Sequence, residues 1–390
     1  MKKEETLVSI LSAKRLPIGK IRGIYGAQKP EDLFQALVTG QLQQLENFSA
    51  AQIEQVILGN VTNLGGNLAR RCALAAGISP LIPAVTVDCQ CASGLVALAQ
   101  GAQQIISGAA KAVLAGGGVE STSTALTVLD PQTKQPLKRY PMVPAGYPDL
   151  EMGVVADLMS KKYHVSRLQQ DEYAYHSQQK ARVAFEQKLI QAEIVPFQTE
   201  IKTLWQDESP RFETSLAKLS QLQPVFTEEG TATAGNSCPI NDGAATVILE
   251  KYQQGKQVQG YLLDQVIVGL NPVEFLRGGP IIATEKLLAK HQLQIADLDV
   301  VELNEAFAVQ SILCQKELGI EAEQLNPLGG ALAYGHPYGA TGGAILMARL
   351  LNSLNRKSGP ALGLVTLCVA GGGMGMSMLI GNQFWEGEFN

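Results

Sequence analysis

Apolar residues in this chain gather in short unbroken runs more than they alternate with polar ones. Residues 7–12, 56–60, 84–87 and 112–118 form such runs early, and 242–249, 262–270, 299–303, 362–368 and 376–380 form them late. Runs of this length, bounded by Gly, Asn or Pro, predict strands buried on both faces. Segments with helical period lie between them, at 30–45, 67–76, 95–106, 281–291, 305–318 and 344–354. The 95–106 segment is rich in Ala and Leu and carries little charge, which predicts a central helix. The alternation predicts an α/β fold.

The rhythm breaks after Ser123. Residues 124–150 are rich in Pro, Lys, Tyr and Thr and have little period. Two amphipathic helices are expected at 152–163 and 168–188, the second capped by Ser166. We read 1–118 as an N-terminal α/β half completed by about 240–258, 119–239 as an inserted loop domain, and 259–390 as a C-terminal α/β half. The halves echo each other: Ala92-Ser93-Gly94 and Ala340-Thr341-Gly342 each open a helix, and a later strand in each runs into Gly116-Gly117-Gly118 or Gly371-Gly372-Gly373. Duplication is the economical reading, and an interface between such halves is a natural place for a site.

Composition narrows the function classes. The chain has 390 residues, 46% hydrophobic and 17% charged, which fits a globular protein with a large core. Net charge is −5 and no dense Lys/Arg run occurs, so nucleic acid is not an expected partner. No apolar run is long enough to span a bilayer, and neither terminus shows a secretory or lipidation signal, so a cytoplasmic protein that does not enter membranes is expected. Six cysteines in a chain this long suit a reducing compartment, with thiols available for chemistry.

The run 84–87 leads into Cys91-Ala92-Ser93-Gly94 and then a helix. Small residues, a hydroxyl and a glycine suit a sharp strand-to-helix turn. There, unpaired N–H groups and the helix dipole favour a thiolate and could hold an oxyanion. Alone, a cysteine in an apolar segment more often fills core space, and the Cys89–Cys91 spacing lacks the further ligands of a metal site. Asn304-Glu305 ends an apolar strand, where α/β sheets place functional groups, though alone it reads first as a helix cap. Of the four histidines, His164 and His176 fall in the inserted helices and His291 in a polar helix end where solvation is expected. His336, between Gly335 and Pro337, sits in backbone that allows close approach. Cys368 ends a buried strand, Cys72 and Cys314 read as core, and Cys89 is expected to point inward.

Together these motifs resemble the thiolase family over essentially the whole length. Residues 13–20 resemble its N-terminal signature, and Cys91-Ala92-Ser93-Gly94 its nucleophile turn. Residues 117–123, Thr233-Ala234-Gly235-Asn236, 240–245, Asn304-Glu305-Ala306-Phe307-Ala308, Gly335-His336-Pro337 and Cys368 follow in family order. The resemblance implies thiolase-like duplicated α/β/α/β/α layers, two related mixed-sheet halves, with the insert binding coenzyme A. It implies Cys91 as the nucleophile that takes an acyl group, His336 as the base for its thiol, and Cys368 as the acid/base at the Cα of a second acetyl-CoA. Asn304, through a held water, and His336 would stabilise the enolate oxygen. The backbone N–H of Cys91, with that of Ala370 or a following glycine, would hold the acyl oxyanion. Arg211, Ala234, Cys238, Met152 and Phe307 are the implied substrate and CoA contacts. Neither metal nor cofactor is implied, since CoA thioesters are substrates. The implied partners are acetyl-CoA, CoA and further copies of the chain, as a homodimer or dimer of dimers.

The activity this resemblance implies is reversible condensation of two acetyl-CoA to acetoacetyl-CoA. The alternatives are a degradative 3-ketoacyl-CoA thiolase for longer chains and a non-catalytic acyl-CoA or lipid binder. Some positions depart from the family pattern. Asp88 replaces the usual Asn and is expected to oppose a Cys91 thiolate, Cys238-Pro239 stand where Ser-Gly is common, and Glu151 stands where His is frequent. Two residues, Val369 and Ala370, separate Cys368 from its glycines where one is usual. Cys91 and Cys368, if they share a pocket, could be bridged by oxidation.

Overall fold

A computed structural model describes residues 7–385, except 64, 138, 200, 201, 371 and 372. The readings made at the extreme termini, and for two of the three glycines after Ala370, lie outside the described residues. The strands are β1 (Val8–Arg15), β2 (Gly19–Lys20), β3 (Gln55–Gly59), β4 (Ala84–Val87), β5 (Ala112–Glu120), β6 (Phe197–Gln198), β7 (Thr203–Leu204), β8 (Asn241–Lys251), β9 (Gly260–Gly269), β10 (Val300–Leu303), β11 (Leu362–Val369) and β12 (Met374–Asn382). Ten of them form one mixed sheet; its path runs β10-β11-β12-β9-β1-β8-β5-β3-β4, with β2 paired to β8.

The path holds the same order twice. One end reads β4-β3-β5-β8-β1, with β3 parallel to β4 and β5, and β8 antiparallel to β5 and β1. The other reads β10-β11-β12-β9, with β10 parallel to β11 and β12 antiparallel to β11 and β9. A lone parallel bridge, Val301 to Leu325, stands where β4 stands in the first half. The halves join where β1 meets β9, antiparallel.

Period-2 side chains divide the core into layers. On β5, Val113 and Ala115 join the central cluster, while Ala112 and Leu114 join the outer one. The central cluster also takes Leu95, Leu98, Ala102 and Ile105 from the helix Ser93–Ile106, and Leu346, Leu350 and Leu354 from the helix Leu346–Leu354. The helices Pro30–Leu42 and Leu68–Ala75 cover the outer face of the first half, and Phe275–Lys290 covers that of the second. The insert carries the helices Met152–Tyr163 and Arg167–Glu186. Ser166 caps the second of these, accepting from the Gln169 N–H.

Three expectations need correction. Residues 13–15, beyond the strand expected to end at residue 12, continue β1, and Arg15 is fully buried. Its guanidinium reaches Glu193 at 2.8 Å and Asp207 at 2.6 Å, and Arg349 also reaches Glu193 at 2.8 Å, so one buried network joins insert and both halves. The helix expected from 281 begins at Phe275, because Gly279 is there for contact: a Cβ would stand 2.6 Å from the Met374 carbonyl oxygen on β12. His291, expected in solvent, is half-buried and lies 2.6 Å from an Asp264 oxygen.

Candidate active site

The turn after β4 is tight. Gln90 takes a left-handed φ of +48°, and Gln90–Ala92 is a single 3₁₀ turn leading into Ser93–Ile106. The Ser93 hydroxyl accepts from the Cys89 N–H at 2.8 Å and donates to the Gln90 carbonyl at 2.7 Å. This stitching leaves Cys91 buried at the head of the central helix. Its own backbone N–H and that of Ala370 favour the thiolate. Burial outweighs them and pushes the thiol up to about 12, with the nearby Glu120 carboxylate adding to the rise. Asp88, by contrast, is exposed, with its carboxylate turned back to the Gln90 N–H. The carboxylate acting on Cys91 is Glu120, so the concern raised by Asp88 passes to a residue 29 positions away.

His336 Nε2 lies 3.2 Å from Cys91 Sγ. Its backbone N–H donates to the Pro239 carbonyl at 3.1 Å and the Asn241 side chain at 3.2 Å, so segment 239–241 fixes the ring's base. Gly335, at φ +104°, is needed here: a Cβ would lie 2.1 Å from Asn241 Oδ1. Burial lowers the imidazole to about 4, and Nδ1 meets no protein partner. The resting pair is therefore a neutral thiol beside a neutral imidazole.

Asn304 follows β10, and its N–H bonds the Thr366 carbonyl on β11, two residues before Cys368. Register thus sets Asn304 level with Leu367, one residue before Cys368, at the carboxyl ends of parallel strands. Asn304 does not cap the next helix, whose N-cap is Phe307. Its side chain is fully buried, and neither its nitrogen nor its oxygen has a protein partner. Each such orphan costs about 1–3 kcal/mol, which points to a role other than packing. The Cys368 thiol is held well above its ordinary value by burial, then by Cys91, Cys314 and Cys238. Cys238 is raised too, by burial and then by Cys91, so Cys91, Cys238 and Cys368 share one electrostatic neighbourhood.

Phe307, Cys368 and Ala370 belong to one buried cluster, against which Met152, Phe226 and Cys238 pack. Arg211 and Ala234 line a different feature, an open cleft of about 620 Å³ whose walls include Lys20, Ser209, Lys218 and Pro239. Pro239 links the two, since its carbonyl holds His336. Two close neighbours of the pair are additions to the expected set. Tyr338 has a left-handed φ of +32° and a ring 5.9 Å from that of His336. Glu120 is fully buried within the 117–123 motif. A carboxylate following Gly116-Gly117-Gly118-Val119 in an apolar strand was the signal that could have found it. Among the described residues no group of three His, Cys, Asp or Glu is placed to hold a metal ion, and no helix is long and apolar enough to cross a membrane.

A duplicated α/β sheet with a buried Cys–His pair where its halves meet is an arrangement that suits thiol-based group transfer. Comparison with known proteins makes the class specific. Residues 8–253 match the family of the thiolase N-terminal domain, and 256–382 that of the thiolase C-terminal domain. A putative acetyl-CoA C-acetyltransferase VraB of Staphylococcus epidermidis is 37% identical, over 97% of this chain and 99% of that protein. An acetyl-CoA acetyltransferase of Escherichia coli is 35% identical (95% and 98%), and the peroxisomal 3-ketoacyl-CoA thiolase B of Mus musculus is 35% identical (94% and 89%). The crystal structure of the Bacillus anthracis acetyl-CoA acetyltransferase superposes with a TM-score of 0.88 at 30% identity, over 97% of this chain and 99% of that one. The chain belongs to the thiolase family of acyltransferases.

Proposed function

We propose that this thiolase condenses two acetyl-CoA reversibly to acetoacetyl-CoA and CoA through an acyl-Cys91 intermediate. The observation that carries the reading is the 3.2 Å Cys91–His336 contact beneath two backbone N–H groups. Because thiol and imidazole rest neutral, the proton passes to His336 Nε2 only as Sγ attacks the thioester carbon. The negative charge then forms on the carbonyl oxygen, which the N–H groups of Cys91 and Ala370 can receive. The bond from the acyl carbon to the CoA sulfur breaks, and that sulfur leaves with the proton from His336.

In the second half-reaction the Cys368 thiol passes its proton to His336, and the thiolate takes a Cα proton from a second acetyl-CoA. The carbanion attacks the acyl carbon, the bond to Cys91 breaks, and the Cys91 sulfur leaves with the proton from His336. Asn304, with its unpaired buried amide, stabilises the enolate oxygen together with His336. The cleft at Arg211 takes the nucleotide end of CoA, where guanidinium suits phosphate or stacking contacts. Met152, Phe226, Phe307 and Cys238 border the acyl group.

A second reading is favoured by one observation: Met142, Leu150, Met152 and Phe226 are only partly buried against the Cys368 cluster, an apolar border that longer chains could occupy. In that case the protein is a 3-ketoacyl-CoA thiolase of wider range. The test is to incubate the protein with acetyl-CoA, map the added acetyl mass, and compare thiolysis of acetoacetyl-CoA with longer 3-ketoacyl-CoAs. Acetyl on Cys91 and fastest turnover of the four-carbon substrate support the first reading. Faster turnover of longer substrates selects the second, and label at another residue overturns both.

A further inference from the structure

Glu120 ends β5, fully buried, with five hydrogen-bond donors around its carboxylate. From the first half come the Val61 N–H at 2.9 Å, the Thr62 N–H at 3.0 Å, the Thr62 hydroxyl at 2.6 Å and the Asn60 amide at 3.4 Å. From the second half comes the Gly339 N–H at 3.2 Å, three residues after His336. No cation pairs with it among the described residues. A buried carboxylate that only held a loop could be replaced by a neutral acceptor, avoiding the desolvation of a charge.

Its surroundings give it a second task. The charge on Glu120 acts on Cys91 and on the Tyr338 phenol, the titratable groups facing it from the nucleophile turn and the histidine loop. Gly339 packs closely against both this carboxylate and the nucleophile turn, since a Cβ there would lie 2.9 Å from Glu120 Oε1 and 3.1 Å from the Ser93 Cβ. One carboxylate therefore ties down the loop that carries the base and adds to the field at the nucleophile.

We propose that Glu120 is a positioning residue of this site: it holds the His336 loop of one half against the 60–62 loop of the other, beside the Cys91 turn, and its charge adds to what burial does in keeping Cys91 protonated. The proposal rests on Cys91 and His336 as nucleophile and base. Burial raises the Glu120 carboxyl to about 7 against the pull of its donors, so its charge can change near neutrality.

Two effects of opposite sign are expected in Glu120→Gln. Loop placement suffers, so kcat for acetoacetyl-CoA thiolysis falls tenfold or more with KM for CoA little changed. Removal of the charge makes the Cys91 thiol easier to ionise, so its alkylation by iodoacetamide at pH 8 speeds up severalfold. A residue with a purely structural part would slow turnover without shifting the alkylation profile in that direction. Thr62→Val, which removes one donor and so favours the neutral carboxyl, moves the profile the same way by less, and decides the matter if Glu120→Gln does not fold. An unchanged or slowed alkylation profile in the folded variants overturns the proposal, as does full turnover in Glu120→Gln. Because alkylation needs no CoA substrate, the outcome is separate from the acetyl-mapping test of the function itself.

Discussion

The turn at 90–94 and the turn at 338–342 are the same device used twice. Each has a non-glycine residue in left-handed backbone, Gln90 or Tyr338, with a glycine four residues later at a helix start. Each glycine faces the other turn: a Cβ on Gly94 would lie 2.6 Å from the Gly339 carbonyl oxygen, and one on Gly342 only 1.6 Å from that of Cys91. They differ at the position next to the left-handed residue. The first turn places Cys91 there, and the second places Gly339. The first is stitched by Ser93, whereas the hydroxyl of Thr341, its counterpart, is buried with no partner. The first continues as α-helix, while the second passes through a π-helical stretch, Thr341–Ile345. On the proposed mechanism, the repeated scaffold carries the nucleophile in one copy and leaves the other to carry a base at His336, just outside the turn.

The sharpest break in this pairing is Gly342→Ala. Its Cβ cannot coexist with the Cys91 carbonyl, so we expect a loss of about 3 kcal/mol or more in urea unfolding, or no folded protein. Gly359→Ala, in open space, should change stability by less than about 0.5 kcal/mol. Equal unfolding curves for the two would dissolve the reciprocal contact.

Acid tests the second turn. His336 is held at about 4 in the folded chain against an ordinary 6.5. Between those values the unfolded chain binds a proton that the folded one does not, so stability falls as pH drops through that window, by up to about 3 kcal/mol. The difference in unfolding free energy between wild type and His336→Asn, followed from pH 7 to pH 4, isolates this contribution. A pH-independent difference would mean that His336 is not buried neutral.

The hydroxyls should behave unlike each other. Ser93→Ala removes both stitches and is expected to cost about 2 kcal/mol. Thr341→Val removes an orphan hydroxyl with its shape preserved and should be within about 1 kcal/mol of wild type, neutral or stabilising. Similar losses in denaturant titrations would contradict the asymmetry. The finest test is chemical. With the Cys91 thiol near 12, iodoacetamide labelling of free protein should climb about tenfold per pH unit from 7 to 9. A plateau in that range would reveal a preformed ion pair with His336.

Much of this was legible along the chain, for identifiable reasons. Buried strands announce themselves as apolar runs, and β4, β5, β10 and β11 lie within a few residues of where those runs put them. The small-hydroxyl-glycine turns were visible because no other composition fits so sharp a bend. Long-range meaning was hidden. The buried role of Arg15 could not be read because its partners, Glu193 and Asp207, lie nearly two hundred residues away. Asp88 looked threatening because sequence distance stood in for space, while Glu120 closes on Cys91 only through the sheet. Gly278, Gly279 and Pro280 hid a helix start, since breakers in sequence are contact residues in the fold. Asn304 could not be told from a cap until its amide was seen without a partner.

The seam between β1 and β9 has a consequence for how the protein is made. β1 is made before either of its neighbours yet ends up mid-sheet, between β8 and β9, whose residues begin at 241 and 260. At about 5–20 residues per second, translation leaves β1 without either neighbour for roughly 10–50 s. Its run Val8-Ser9-Ile10-Leu11-Ser12 is then an unpaired, apolar edge of the kind that recruits other chains. Nascent chains of this protein have reason to depend on holding factors until residue 260 has emerged, and slowed synthesis should lower soluble yield rather than raise it.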